Sequence, residues 1–267
     1  MRIDEQLCIH CGLCMRVCPK VVLFGPYEGG LPNETICFRC GQCQSVCPTG
    51  ALELEGLPTK SKIAEIPTAA MELQAVRQRH SVRVFRQQPV EESVLQDILE
   101  AGACAPSGSN RHPVSIIVVQ ETEHMDWLRT RAGQLLQERA VLWSSSQDEV
   151  LRNRGKYFSR ICGERPEGAI KDPILFHAPT LLLAVAEPQF LCDAAMTMAS
   201  MERLIYAHGL GGVYCGFFTN AVNGDEEVHE YLGMDKKEEI LLSFAVGTPK
   251  YTYRNAVPRK PLKVTRF

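Results

Sequence analysis

The sequence predicts an α+β fold in two unequal parts, and three observations predict it. A cysteine pattern repeats itself within residues 8–52. A short stretch carrying two prolines and several small residues follows it. Beyond that stretch, helical and extended patterns mix without the strict alternation of a doubly wound parallel sheet. The expected boundaries are a first domain over 1–56, a join over 57–70 and a larger domain over 71–267.

The repeat comes first. Residues 8–23 read CIHCGLCMRVCPKVVL and residues 37–52 read CFRCGQCQSVCPTGAL, at an offset of 29 residues. Each copy is C-x2-C-x2-C-x3-C-P. Three cysteines spaced by two bring three thiolates to three irons of a cube, and in two-cluster proteins the last cysteine of each run serves the opposite cluster. Two [4Fe–4S] clusters are therefore expected. Cys8, Cys11, Cys14 and Cys47 should hold one, and Cys37, Cys40, Cys43 and Cys18 the other. Pro19 and Pro48 turn the chain away after the crossing ligand. Gly12 and Gly41 let backbone approach the inorganic sulfides. A structural zinc site asks for two C-x2-C pairs split by a longer loop, and has no use for a third cysteine followed by Cys-Pro. This segment resembles the bacterial two-[4Fe–4S] ferredoxins, so a ferredoxin-like two-cluster domain is expected.

Composition bounds the rest. Eight of the twelve cysteines fall in the first 47 residues of a 267-residue chain, a pattern of metal or redox work rather than of disulfides. The remaining four, Cys104, Cys162, Cys192 and Cys215, are scattered, and none is given a catalytic thiol role. A net charge of −2 leaves no basic footprint for nucleic acid. The opening MRIDEQLCIHCGLC lacks the apolar run of a secretory signal. No stretch approaches the roughly 20 apolar residues of a membrane span. The expected location is the cytoplasm, with no membrane and no nucleic-acid partner.

Along the larger domain, residues 71–79 read as a short helix. Residues 91–101 form a second, with Val94, Leu95, Ile98 and Leu99 on one face. APSGSNRHP (105–113) is a loop and SIIVV (115–119) a strand. Residues 121–172 are polar and broken by Gly and Pro, with helix in parts. TLLLAVA (180–186) is a buried strand. Residues 192–208 form a helix apolar almost all round, suited to burial or a subunit interface. GLGGVYCGFF (209–218) reads as a turn into a strand, 226–232 as helix, and 240–246 as another buried strand. The tail from Tyr251 is irregular and basic.

Three separated segments then align. Arg79-His80-Ser81-Val82-Arg83 follows a helix, Asn110 closes PSGSN, and Gly216 sits beyond GLGG. Together they resemble the nitroreductase family of FMN flavoproteins, with R-[RH]-S-x-[RK]-x-[FY], P-S-x-x-N and a later GLG turn. The resemblance covers roughly residues 71–267 and implies an FMN-dependent, nitroreductase-like α+β domain. By resemblance Arg79 and Ser81, with His80 beside them, serve the phosphate and ribityl end, where guanidinium and hydroxyl donors suit a dianion. Arg83 would stand at the pyrimidine edge, where a fixed cation stabilises charge gained on reduction. Asn110 would match the flavin's N3–H and carbonyl edge. The N–H groups of Cys215 and Gly216 would face N5 and O4. Arg259, with Lys260, would close over the phosphate. Arg111-His112-Pro113-Val114 departs from the family's Gln-Pro-Trp after the Asn. Taken singly, these residues also read as helix-end cations, a turn asparagine and a helix cap.

The resemblance implies a homodimer and an FMN-dependent oxidoreductase coupled to its clusters, reducing a nitroaromatic or quinone-like acceptor. The donor is NAD(P)H or a reduced ferredoxin. No acid/base pair stands out, so no catalytic side chain is assigned. A relay that passes electrons to a partner protein and a dehalogenase-type or flavin-degrading member of the same fold remain as alternatives.

Overall fold

In the computed structural model of the chain, residues 1–20, 36–57, 64–164 and 166–267 are described. The end of the first repeat (Val21, Val22, Leu23), residues 58–63 of the expected join, and Arg165 within 121–172 lie outside them. The chain divides into unit 1, Met1–Ile66 with Ser107–Arg111, and unit 2, Pro67–Pro106 with His112–Phe267.

In unit 1 the sequence repeat becomes a backbone repeat. His10 and Arg39, 29 residues apart, both take φ 52°, and Gly12 and Gly41 take φ 71° and 72°. Each glycine opens a short helix, α1 (Leu13–Arg16) or α2 (Gln42–Val46). Left-handed backbone costs a glycine nothing, which is why both copies carry one at that place. Strands β1 (Arg2–Ile3) and β2 (Leu52–Glu53) pair antiparallel and bring the two ends of the segment together. Among the described residues the apolar core of this unit is Cys43, Leu52 and Leu54, with Met1, Ile3, Met15 and Leu57 packed against it.

Unit 2 is built on a four-stranded antiparallel sheet in the order β3-β4-β6-β5. The strands are β3 (Ser115–Val119), β4 (Thr180–Ala186), β5 (Gly211–Tyr214) and β6 (Glu239–Gly247). All seven residues of β4 are buried, because helices cover both faces. Leu181, Leu183 and Val185 face α5 (Thr122–Ser144), α6 (Glu149–Cys162) and α8 (Gly216–Val222). Leu182 and Ala184 face α4 (Glu92–Ala103) and α7 (Leu191–Ala207). Each buried leucine of this strand contributes about 1.5–3 kcal/mol. Helix α3 (Ala69–Arg77) is capped by the Thr68 hydroxyl, and α9 (Glu226–Leu232) by Asp225.

Three expectations change. Residues 209–218 are not a turn followed by one strand: β5 ends at Tyr214 and Gly216 starts α8. The 121–172 segment is mostly a helical hairpin, held close because a Cβ at Gly155 would lie 2.4 Å from the Ser144 nitrogen. Helix α7 buries only one face. Ala194, Met198, Met201 and Ile205 enter the core, while Leu191, Cys192, Ala195, Met196 and Ala199 are exposed in the single chain.

Candidate functional site

Unit 1 gathers its eight clustered cysteines round two hollows. One, with about 400 Å³ of atom-free space, is lined by Cys8, Cys11, Cys14 and Cys47. The other, of about 380 Å³, is lined by Cys37, Cys40, Cys43 and Cys18. The fourth cysteine of each repeat thus faces the opposite repeat's three. No disulfide forms. Among the described residues no three His, Cys, Asp or Glu side chains converge on one point as a single ion requires. Four sulfurs standing round a hollow suit a cube of irons instead. Burial works against ionisation of Cys47, but bonds from the Leu52, Ala51 and Thr49 backbone and the Thr49 hydroxyl outweigh it. They hold this thiol below its ordinary value, and the thiolate is the form that binds iron.

In unit 2 the Arg79–Arg83 segment runs beside β5. Ser81 bridges Gly212 in parallel, and the Val82 N–H donates to the Gly212 carbonyl at 3.0 Å. The approach is close because Gly211 and Gly212 lack side chains: a Cβ would meet Val82 at 2.4 Å or the Phe244 ring at 2.2 Å. Arg79 reaches Glu202 of α7 at 3.5 Å. Burial pushes the Glu202 carboxyl up, partly offset by Arg79 and by a bond from Tyr214. Tyr206 donates to the His80 carbonyl. The tail folds back over this segment. The His80 ring meets the Asn255 carbonyl at 2.9 Å and packs on Tyr253 at 4.4 Å, and Arg259 Nη2 donates to the Arg79 carbonyl at 3.1 Å. Lys260 is exposed in the same tail.

Arg83 Nη1 donates to the Ser81 carbonyl at 3.3 Å, and its guanidinium lies 5.9 Å over the Phe176 ring. At the end of β5 the Cys215 N–H donates to the Ser243 carbonyl at 2.8 Å, so the sheet already uses it and it is not available to a ligand. Burial pushes the Cys215 thiol up to about 12. The first turn of α8 keeps N–H groups without intrahelical acceptors. A Cβ at Gly216 would meet nothing within 4 Å. The start of α8 is therefore bare backbone facing open space. Asn110 is grouped with unit 1, where its amide donates to the Arg39 carbonyl at 3.3 Å.

Residues 76–248 match the Nitroreductase family, and residues 1–24 and 32–53 match the 4Fe-4S binding domain. The chain belongs to the nitroreductase family. An NADH dehydrogenase of Thermus thermophilus is 30% identical over 184 residues, 66% of this chain and 85% of that one. An NADPH-dependent oxidoreductase of Staphylococcus saprophyticus is 25% identical over 180 residues, 66% of this chain and 63% of its own length. This nitroreductase-family chain therefore spans less than two thirds of that second relative. Among solved structures, a nitroreductase with bound FMN from Bacteroides fragilis superposes with a TM-score of 0.55 at 23% identity, covering 73% of this chain and 98% of that one. That likeness concerns the fold.

Sequence reading missed several members of the site. Glu202, Tyr206 and Tyr214 gather on Arg79 and His80 from positions more than 120 residues away. Phe176, whose ring lies under Arg83, gave no signal. No helix among the described residues is long and apolar enough to cross a membrane.

Proposed function

We propose that this chain is an FMN-dependent oxidoreductase of the nitroreductase type, coupled to two [4Fe–4S] clusters and reducing a small flat acceptor such as a nitroaromatic or quinone. The observation that carries it is the pair of four-cysteine hollows, each completed by the other repeat, in one chain with a nitroreductase-family domain whose Arg79–Arg83 segment pairs with β5. When bound, FMN exchanges one or two electrons and can pass a hydride equivalent, while the clusters pass electrons singly.

The chain's own residues then divide the work. The eight thiolates hold the irons. Arg79 and Arg259 offer guanidinium groups to the phosphate, with the Ser81 hydroxyl between them in the chain. Arg83 supplies positive charge where reduction adds negative charge. Gly216 leaves the ring face uncovered and offers a backbone N–H. No residue is assigned to proton transfer. The exposed face of α7 supports a homodimer, which would tie flavin retention to protein concentration. The names of the Thermus and Staphylococcus relatives support NADH or NADPH as donor.

The test is a stepwise addition to anaerobic protein carrying FMN. NADPH, then NADH, then a reduced ferredoxin is supplied while the flavin bands are followed, and a nitroaromatic or quinone is added last. Bleaching by a donor and reoxidation by the acceptor support the proposal. Bleaching without reoxidation by any small acceptor would favour a relay to a partner protein.

A further inference from the structure

Residues 172–177 form a densely hydrogen-bonded turn in unit 2 to which the proposed chemistry assigns no role. Phe176 and His177 stand at φ 59° and 47°, two successive side-chain-bearing residues in the left-handed region. Such a pair persists only where its surroundings over-determine it. Here they do. The Asp172 carboxylate is 4% exposed. One oxygen accepts the N–H groups of Ile174 at 2.9 Å and Leu175 at 3.0 Å. The other accepts the His177 N–H at 2.9 Å and Arg129 Nε at 2.8 Å. Gln87 adds a bond to the His177 carbonyl at 3.1 Å. A turn needed only to lead into β4 would use glycine at the left-handed positions. This one places a phenylalanine there, and its ring lies under the Arg83 guanidinium.

We propose that the Asp172-anchored turn is a positioning element: it holds Phe176 as a platform for Arg83 and thereby fixes the cation that meets the reduced flavin. The proposal rests on the FMN reading above. An arginine on a solvent-facing loop sweeps through many rotamers, and its charge is spread over them. Arg83 is exposed, and the Phe176 ring at 5.9 Å and the Ser81 carbonyl at 3.3 Å narrow the positions its charge takes. A charge fixed before reduction costs no reorganisation when negative charge arrives. The cation then favours reduced over oxidised flavin. Phe176 is a positioning residue, since it acts through Arg83. It also packs against the apolar core, so a merely structural role predicts lost stability and nothing else.

The test compares Phe176→Leu, Phe176→Met and Phe176→Trp with the full chain carrying FMN. Affinities for oxidised and reduced FMN and the melting temperature are measured for each. Leu and Met fill the pocket but offer no ring face, while Trp restores one. The expected result is that Leu and Met lower the ratio of reduced to oxidised affinity about ten-fold, about 30 mV for a two-electron couple. Trp should keep the ratio within about two-fold of the parent chain. A ratio unchanged in Leu and Met, or lowered equally in Trp, overturns the proposal, whatever happens to stability. Where Leu does not fold, Met against Trp decides in the same way. Failure of the unaltered chain to bind FMN would overturn the flavin reading and this proposal with it.

Discussion

Alanine placed at two glycines four residues apart should give opposite outcomes. At Gly212 in β5, the new Cβ would lie 2.2 Å from the Phe244 ring and 2.6 Å from the Ala245 carbonyl oxygen. Both neighbours are buried in the sheet and cannot swing away. Overpacking of this kind costs about 1–3 kcal/mol, and a backbone atom as the obstacle puts Gly212→Ala at the upper end. For a domain of this size each kcal/mol lowers the melting temperature by about 2–4 °C, so about 6–12 °C is expected. Because the Gly212 carbonyl anchors Val82, Ser81 should shift as well, and FMN should be lost with stability. At Gly216 the same methyl group would meet nothing. Replacing glycine at a helix start can even add up to about 1 kcal/mol. Gly216→Ala should therefore melt no lower than the parent chain, yet bind FMN at least about ten-fold more weakly, because its methyl group stands where the ring would lie. Thermal melts and fluorescence titration with FMN read both quantities. Equal destabilisation by the two substitutions, or full FMN affinity in Gly216→Ala, would refute the reasoning.

Further outcomes follow from the same geometry. If the fourth cysteines cross between repeats, Cys18→Ser combined with Cys37→Ala should damage one cluster and leave about half of the iron, whereas Cys18→Ser with Cys8→Ala should damage both; iron analysis separates the two cases. Burial alone would raise the Asp172 pKa, but bonds from the His177, Leu175 and Ile174 N–H groups and the Arg129 charge hold it below the usual carboxylate range. Its contribution is present above about pH 4 and is lost as pH falls through the depressed value. Asp172→Asn should therefore melt lower at neutral pH, by about 3 kcal/mol of stability, and show a flatter acid limb than the parent chain. Alkylation at pH 8, mapped by mass spectrometry, should label the exposed Cys104 and spare Cys215, whose thiol burial pushes up to about 12, until the chain unfolds.

The parts that could be read from sequence are those set by local spacing. The cysteine runs repeat because each loop must make the same turn, and the backbone angles at His10, Gly12, Arg39 and Gly41 repeat with them. The continuous apolar run of β4 announced a strand covered on both faces. The Gly-rich run was harder because its glycines do different jobs. Gly209 ends α7 at φ 72°, Gly211 and Gly212 allow close packing, and Gly216 opens a helix. Composition cannot separate these roles. The pairing that consumes the Cys215 N–H depends on β6, 28 residues on. Helix was expected only in parts of 121–172, and the full extent of α5 and α6 was hidden because the core stripe of α5, Met125, Leu128, Ala132, Leu136 and Ala140, is narrow within a polar sequence. Glu202 and Asp172 take their meaning from partners distant in the chain, which periodicity does not reveal.

The central claim is that one chain holds both kinds of redox group. The most direct measurement is iron, acid-labile sulfide and flavin content of protein purified without oxygen and supplied with FMN, with the visible spectrum recorded alongside. The account predicts about eight irons, about eight sulfides and about one FMN per chain, with resolved flavin bands over a broad cluster shoulder. Zinc in place of iron, or a chain that takes up no FMN, would contradict it.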